Sequence, residues 1–98
     1  MGELKITRED KPTRGRYVAT MDGIDAEAEL TFSRAGDTLI IADHTSVPDA
    51  FRGRGVARAL FLRLVGDARA NGVKIVPLCP FVNAERQKHS EWSDVFQT

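Results

Sequence analysis

The segment from Val47 to Val65, VPDAFRGRGVARALFLRLV, constrains the fold more than any other part of the chain. Two glycines, Gly53 and Gly55, stand directly before apolar residues that recur with helical period. Glycine permits left-handed backbone angles and lets a ligand approach the main chain closely, so successive N–H groups can point at one position. The segment therefore predicts the end of a strand, a glycine loop and a helix with an exposed first turn.

The start of this helix has the properties of an anion site. Its first N–H groups have no partner within the helix, and the helix dipole adds about half a positive charge there. Arg52, Arg54 and Arg58 add full positive charges, so a phosphate or pyrophosphate is the favoured ligand. The simpler alternative is a tight turn with solvated arginines, because a bare G-x-G is not specific. The P-loop motif is absent, and Arg58 stands where G-x-G-x-x-G requires its third glycine.

The remaining pattern predicts an α/β fold with a mixed sheet (α+β). Alternating apolar residues and short turns, among them Asp22-Gly23, indicate four antiparallel strands before the glycine loop. The helix carries one apolar stripe and ends at Asn71-Gly72, and a fifth strand follows over 73–78. A strand, a helix and a strand form a crossover, so strands four and five should be parallel. Pro77 cannot complete a ladder bond, so these strands should separate at their carboxyl ends.

Polar residues at the end of the fourth strand form a candidate site wall. His44 should share a face with Ile40 and Ala42 by strand parity, whereas Asp43 and Thr45 should point the other way. The alternative for His44 is a structural histidine at a strand end.

Cys79 follows the fifth strand and precedes Pro80, which suits the first position of a helix. A thiolate at a helix N-terminus is stabilised by the dipole, so Cys79 is a candidate reactive group. The alternative is an inert cysteine packed in the core.

The stretch Arg52-Gly53-Arg54-Gly55-Val56-Ala57 resembles the acyl-CoA pyrophosphate signature Q/R-x-x-G-x-G/A of the GNAT acetyltransferase superfamily. Arg52, Gly55 and Ala57 occupy its three defined positions. The flanking stretches HTSV-P and PLCPFV resemble the branch of very small, single-domain GNAT-like proteins. The resemblance covers nearly the whole chain and implies a GNAT-like fold with acetyl-CoA in a V-shaped gap between strands four and five.

That resemblance implies roles for individual residues. The loop with Arg58 would bind the pyrophosphate, the Val47 backbone would meet pantetheine, and the thioester would end between His44 and Cys79. Asn83, one turn along the next helix, joins the cofactor-binding candidates, although a solvated amide is its simpler role. The full set of cofactor-binding candidates is Val47, Arg52, Gly53, Arg54, Gly55, Val56, Ala57, Arg58 and Asn83.

The candidate catalytic residues are Cys79 and His44, and two mechanisms remain open. His44 could deprotonate an amine that attacks the thioester directly while Cys79 protonates the leaving thiolate. Alternatively, Cys79 could take the acetyl group first with His44 as its base. Direct transfer is favoured, because no residue in the sequence is identified as orienting the histidine. The tyrosine acid of many relatives is not supplied in its usual place, since Tyr17 lies in an early strand.

Composition limits the remaining possibilities. Ninety-eight residues indicate one domain, 1–98, and fourteen basic residues balance fourteen acidic ones, which argues against a dedicated nucleic-acid binder. A single cysteine and the lack of a long apolar stretch predict a cytoplasmic protein without a membrane span. The histidines and the cysteine lack metal-ligand spacing, so no metal site is expected.

The predicted function is acetyl-CoA-dependent N-acetyltransfer to an amine of a protein, a peptide or a small molecule. The resemblance also has a departure: larger GNAT enzymes carry helices between the first two strands that cover the acceptor, whereas this interval is here only the loop Arg8 to Arg14, so the acceptor site should be open. The alternative is a non-catalytic module that binds CoA or acyl-CoA. The acceptor, the preferred acyl chain and the oligomeric state are not specified by the sequence.

Overall fold

A computed structural model describes residues 3–98 and shows one five-stranded mixed sheet with the strand order β1-β2-β3-β4-β5. Neighbouring strands are antiparallel from β1 to β4, whereas β4 and β5 are parallel. The predicted α/β fold class, a meander followed by a crossover, is therefore confirmed. The strands are β1 Leu4–Asp10, β2 Arg14–Met21, β3 Ile24–Gly36, β4 Leu39–Ser46 and β5 Lys74–Pro77.

Two α-helices follow β4 and β5. Helix α1, Val56–Asn71, makes the crossover, and α2, Pro80–Lys88, begins with the proline expected at its first position. Two short 3₁₀ helices, Asp49–Phe51 and Ser90–Val95, complete the fold. His89 stands in the capping position of the second 3₁₀ helix.

The core lies on one face of the sheet, under both α-helices. Alternate β3 residues Ala28, Leu30 and Phe32 are fully buried, as the sequence pattern predicts. The apolar stripe of α1 packs onto them, and Val82 of α2 joins the same cluster. Burying this stripe fixes the position of α1, because a helix of this length gains most of its stability from tertiary packing. The buried residues of α1 are Val56, Leu60, Phe61, Leu64, Val65 and Ala68.

The opposite side of the sheet, here called the open face, carries mainly polar residues. Glu9, Arg16 and Thr31 lie side by side across β1, β2 and β3, as the strand register requires. Only residues 11–13 connect β1 to β2. The buried cluster draws its sheet residues from the other side, so within residues 3–98 no helix contributes to a core on the open face.

A β-bulge in β4 reverses the expected orientation of the residues at its end. Phe32 pairs with Ala42 and Thr31 pairs with His44, so Asp43 is the extra residue. Because directly paired residues point to the same side, His44 lies on the open face with Thr31. The prediction that His44 shares a face with Ile40 and Ala42 is therefore wrong. Thr45, opposite buried Leu30, lies on the core face instead.

Residues 3–98 contain neither a membrane-spanning helix nor a metal-binding cluster. None of the helices there combines the length and the apolar character needed to cross a membrane. No group of three or more histidine, cysteine, aspartate or glutamate side chains in that range is arranged to hold a metal ion.

Candidate functional site

The loop before α1 adopts the left-handed backbone that its glycines suggest. Gly53 has φ +77° and Gly55 has φ +69°, and Gly55 is the N-cap residue, with no side-chain hydrogen bond to the cap from the described part of the chain. Within residues 3–98, five main-chain amides at this point have no acceptor. The first turn of α1 also contains no acidic residue. The five amides belong to Gly53, Gly55, Val56, Ala57 and Arg58.

The arginines around these amides are exposed. Arg52 makes one ion pair with Asp49, at 3.3 Å, and both side chains are more than four-fifths exposed. An exposed pair of this kind is worth about 0–1 kcal/mol, so it can exchange for a ligand phosphate at little cost. Arg58 Nη2 lies 3.3 Å from His89 Nε2. The N-terminus of α1 therefore combines unpartnered amides with accessible positive charge.

Strands β4 and β5 part beside this loop. Their ladder runs from Leu39↔Lys74 to Ala42↔Pro77, but β4 continues to Ser46. Among residues 3–98, the last main-chain hydrogen bond between the two segments is the one from Cys79 N–H to the Ala42 carbonyl, at 2.7 Å. Beyond it, the edge of β4 that faces β5 has no strand partner among the described residues. The expected separation of these strands is thus present, at the position where Pro77 cannot donate.

Cys79 lies where the strands part. It is the N-cap residue of α2, is only 2% exposed and belongs to the core cluster. Its Sγ lies 3.3 Å from Thr45 Oγ1, and either atom can donate the hydrogen bond. Cys79 therefore forms the inner wall of the gap, and Thr45 holds its thiol from the neighbouring strand.

A family model described as GCN5-related N-acetyl-transferase matches residues 16–95. That match covers well over half of the chain. The chain belongs to the GCN5-related N-acetyltransferase family.

Relatives of this family member include Protein NATD1 of Homo sapiens, which is 36% identical over 47 residues, or 48% of this chain and 42% of the relative. Protein NATD1 of Xenopus tropicalis is 38% identical over 47 residues, or 48% of this chain and 43% of the relative. The match therefore spans less than half the length of these curated relatives. The NMR solution structure of a GCN5-like protein from Staphylococcus aureus matches with a TM-score of 0.74 and 30% identity, covering 99% of this chain and 91% of that chain.

In this GCN5-related protein the two candidate catalytic residues lie on opposite faces of β4. His44 is exposed on the open face, whereas Cys79 contacts Thr45 on the core face. The fold therefore does not form a histidine–cysteine pair on one face. It places an exposed imidazole and a buried thiol on the two sides of the strand end.

The other cofactor-binding candidates of this GCN5-related protein are less uniform. Val47 follows the end of β4, and its side chain packs against the core. Arg54 is exposed in the loop. Asn83 lies one turn into α2, where its side-chain oxygen accepts a hydrogen bond from Arg86 Nε at 2.8 Å. Asn83 is thus engaged within its own helix.

Two residues of the candidate site were not singled out from the sequence. Thr45 touches the cysteine, and Asp43 is turned to the open face, where Ser33 Oγ donates to Asp43 Oδ2 at 2.5 Å. Both belong to the polar run at the end of β4, and that run is the sequence feature that could have identified them as site residues. Strand parity correctly predicts the open face for Asp43, whereas the core-facing position of Thr45 depends on the bulge.

Proposed function

We propose that the protein is an acetyl-CoA-dependent N-acetyltransferase that moves an acetyl group to an amine acceptor. The observation that carries this proposal is the set of five unpartnered amides at the start of α1, next to the point where β4 and β5 part. Membership of the GCN5-related family supports the reaction class.

In this proposal the amides of Gly53, Gly55, Val56, Ala57 and Arg58 bind the pyrophosphate of acetyl-CoA. Unpartnered amides at a helix N-terminus and the dipole both favour such an anion. The exposed side chains of Arg52, Arg54 and Arg58 add positive charge to this site. The pantetheine arm then lies along the free edge of β4 and meets the Val47 backbone.

Direct transfer fits the arrangement better than a covalent intermediate. A base that activates Cys79 as a nucleophile has to contact its sulfur, yet His44 lies on the other face of β4. An exposed His44 can instead remove a proton from an incoming amine, whose nitrogen then attacks the thioester carbon. As the carbon–sulfur bond breaks, Cys79 gives its proton to the CoA thiolate. The Thr45 hydroxyl then donates a hydrogen bond to the cysteine sulfur.

The second candidate function is a module that binds CoA without transferring the acetyl group. The burial of Cys79 in the core cluster favours it, because a cysteine with 2% exposure can serve packing alone. In that case the same amides bind CoA, and His44 and Cys79 have no chemical role.

Transfer assays with paired acetyl donors test the proposal. Acetyl-CoA and acetyl-pantetheine carry the same thioester, but only acetyl-CoA has a pyrophosphate. The kcat/KM for product amide should be at least a hundredfold higher with acetyl-CoA than with acetyl-pantetheine. That ratio corresponds to about 3 kcal/mol. Equal use of the two donors would contradict the role given to the loop.

Four variants then separate the two candidate functions. Cys79→Ala and His44→Gln should reduce turnover at least tenfold while CoA still binds. Thr45→Val should reduce kcat with little change in KM, and Thr45→Ser should restore it. If no amine is acetylated above the uncatalysed rate although CoA binds, the binding module is the correct function.

A further inference from the structure

A cavity of about 380 Å³ lies on the open face, away from the glycine loop. It crosses the sheet from the β1–β2 connection to the bulge in β4, and its lining includes Lys11, Arg14, Arg16, Ser33 and Asp43. Its size falls within the usual range of small-molecule sites, about 300–1,000 Å³. Its volume therefore suits a small molecule better than the surface of a partner protein.

The protein's own ion pairs already occupy the middle of this cavity. Arg16 makes ion pairs with Glu9 at 2.9 Å and with Glu29 at 2.8 Å, and Glu27 lies 3.8 Å away. The hydrogen bonds to Glu9 and Glu29 raise the pKa of Arg16 above its usual value. Arg16 is thus held by the protein's own carboxylates and offers no free charge to a ligand.

The two ends of the cavity carry charges of opposite sign. Among residues 3–98, Lys11 and Arg14 at the hairpin end make no ion pair with any carboxylate. Asp43 at the bulge makes no ion pair with any cation in that range, and its contact is the Ser33 hydroxyl. Arg14 lies on β2 and Asp43 on β4, so two strand spacings, about 10 Å, separate their backbones.

The negative end adjoins the proposed transfer position. Asp43 precedes His44, and Thr31, which lines the cavity, pairs with His44 across the ladder. Thr31 Oγ1 also lies 3.4 Å from the His44 carbonyl oxygen, to which it donates. A cationic amine at Asp43 is therefore next to the candidate base, while the remainder of the molecule extends towards Lys11 and Arg14.

We propose that the acceptor is a small amine that carries its own anionic group, such as a carboxylate, several bonds from the nitrogen. Asp43 binds the ammonium group, and Lys11 with Arg14 binds the anionic group. The proposal rests on the proposed function for the position of transfer, but the charge selectivity of the cavity can be measured without turnover.

Three matched ligands test this selectivity: 6-aminohexanoate, hexylamine and 1,6-diaminohexane. Each has six carbons with an amine at one end, and they differ at the far end, which is a carboxylate, a methyl group or a second amine. Amide chemical shifts of Thr31, Ser33 and Asp43 should report saturable binding of 6-aminohexanoate at least fivefold tighter than binding of the other two. The substitution Asp43→Asn should weaken all three.

A double variant and a control locate the anionic end. Lys11→Gln with Arg14→Gln should remove the preference for 6-aminohexanoate, and both side chains are exposed without ion pairs, so the fold should persist. Lys5→Gln, also on the open face but at a separate cavity, should leave the preference unchanged. Equal affinity for all three ligands, or equal effects of the double variant and the control, would overturn the proposal. Selective binding without any acetyl transfer would count against the proposed function alone.

Discussion

The glycines at the two ends of α1 have nearly the same backbone angles, but the two ends differ in the hydrogen-bond partners that the protein supplies. Gly55 before the helix has φ +69° and ψ +23°, and Gly72 after it has φ +66° and ψ +32°. At the C-terminal end the protein itself supplies partners: the Gly72 N–H donates to the Arg69 carbonyl, the Val73 N–H donates to the Ala68 carbonyl at 2.8 Å, and the Asn71 side-chain amide donates to the Asp67 carbonyl at 2.9 Å. At the N-terminal end, no side chain among residues 3–98 caps the helix.

The difference separates the end of α1 that the protein fastens with its own side chains from the end that the proposed function assigns to a ligand. Near the C-terminal end, the Tyr17 hydroxyl donates to Asp67 Oδ2 at 2.9 Å and Arg8 donates to the Tyr17 oxygen at 3.0 Å. These contacts fasten α1 to β1 and β2. The N-terminal end is positioned by the packing of the apolar stripe and by the contact of Arg58 with His89, and neither uses its main-chain amides.

The largest expected effect on stability is at the C-terminal end of α1. Tyr17→Phe removes a hydrogen bond to a carboxylate and should lower the free energy of unfolding by about 2 kcal/mol, measured in urea. The affinity for CoA, measured where both proteins are fully folded, should not change. A matching loss of CoA affinity would show that the two ends are not independent.

The same residue predicts a pH dependence. Burial, then the hydrogen bond to Asp67, raises the pKa of Tyr17 in the folded protein. Because the folded pKa lies above the unfolded value of about 10, this contribution is complete below pH 10 and decreases as pH rises above it. The wild-type protein should lose stability above pH 10 more steeply than Tyr17→Phe. Parallel curves for the two proteins would contradict this assignment.

The next effect compares the two glycines directly. A Cβ meets open space at both Gly55 and Gly72, so alanine at either position should cost about 1 kcal/mol of stability through backbone strain alone. Only Gly55→Ala should also weaken CoA binding, by about tenfold, or 1.4 kcal/mol, because its Cβ obstructs the approach of the phosphate. Calorimetric titration of both variants checks this. Equal CoA affinities would remove the functional distinction between the ends.

The smallest expected effect is seen by comparing arginines at the two ends of α1. Arg52 at the ligand end should contribute about threefold to CoA affinity, and Arg52→Gln should reduce the salt dependence of binding. Arg69 at the other end lies 4.2 Å over the Trp92 ring and donates to the Glu91 carbonyl at 2.7 Å. Arg69→Gln should lower the melting temperature slightly and leave CoA affinity unchanged. The reverse pattern would contradict the comparison.

The sequence predicted the elements that follow from local pattern. The glycine loop, the stripe of α1, the parallel crossover and Pro80 at the start of α2 all depend on residues close in the chain. Pro77 also predicted where β4 and β5 separate, because its missing N–H is a property of one residue.

The orientation of the site residues could not be predicted in the same way. Strand parity assigns faces correctly only when pairing is regular, and the bulge at Asp43 depends on how β4 matches β3. One extra residue moved His44 to the open face and Thr45 to the core face. The contact between Thr45 and Cys79 followed from that change, so the sequence alone did not indicate it.

The most direct test of the account is the response of individual backbone amides to CoA. In a ¹⁵N-labelled sample, CoA should shift the amide resonances of Gly53, Gly55, Val56, Ala57 and Arg58 in a saturable way, and those of Gly72 and Val73 should stay in place. Acetyl-pantetheine should leave the first set almost unchanged. Saturable CoA binding that does not move these five amides would contradict the claim that the start of α1 is the pyrophosphate site.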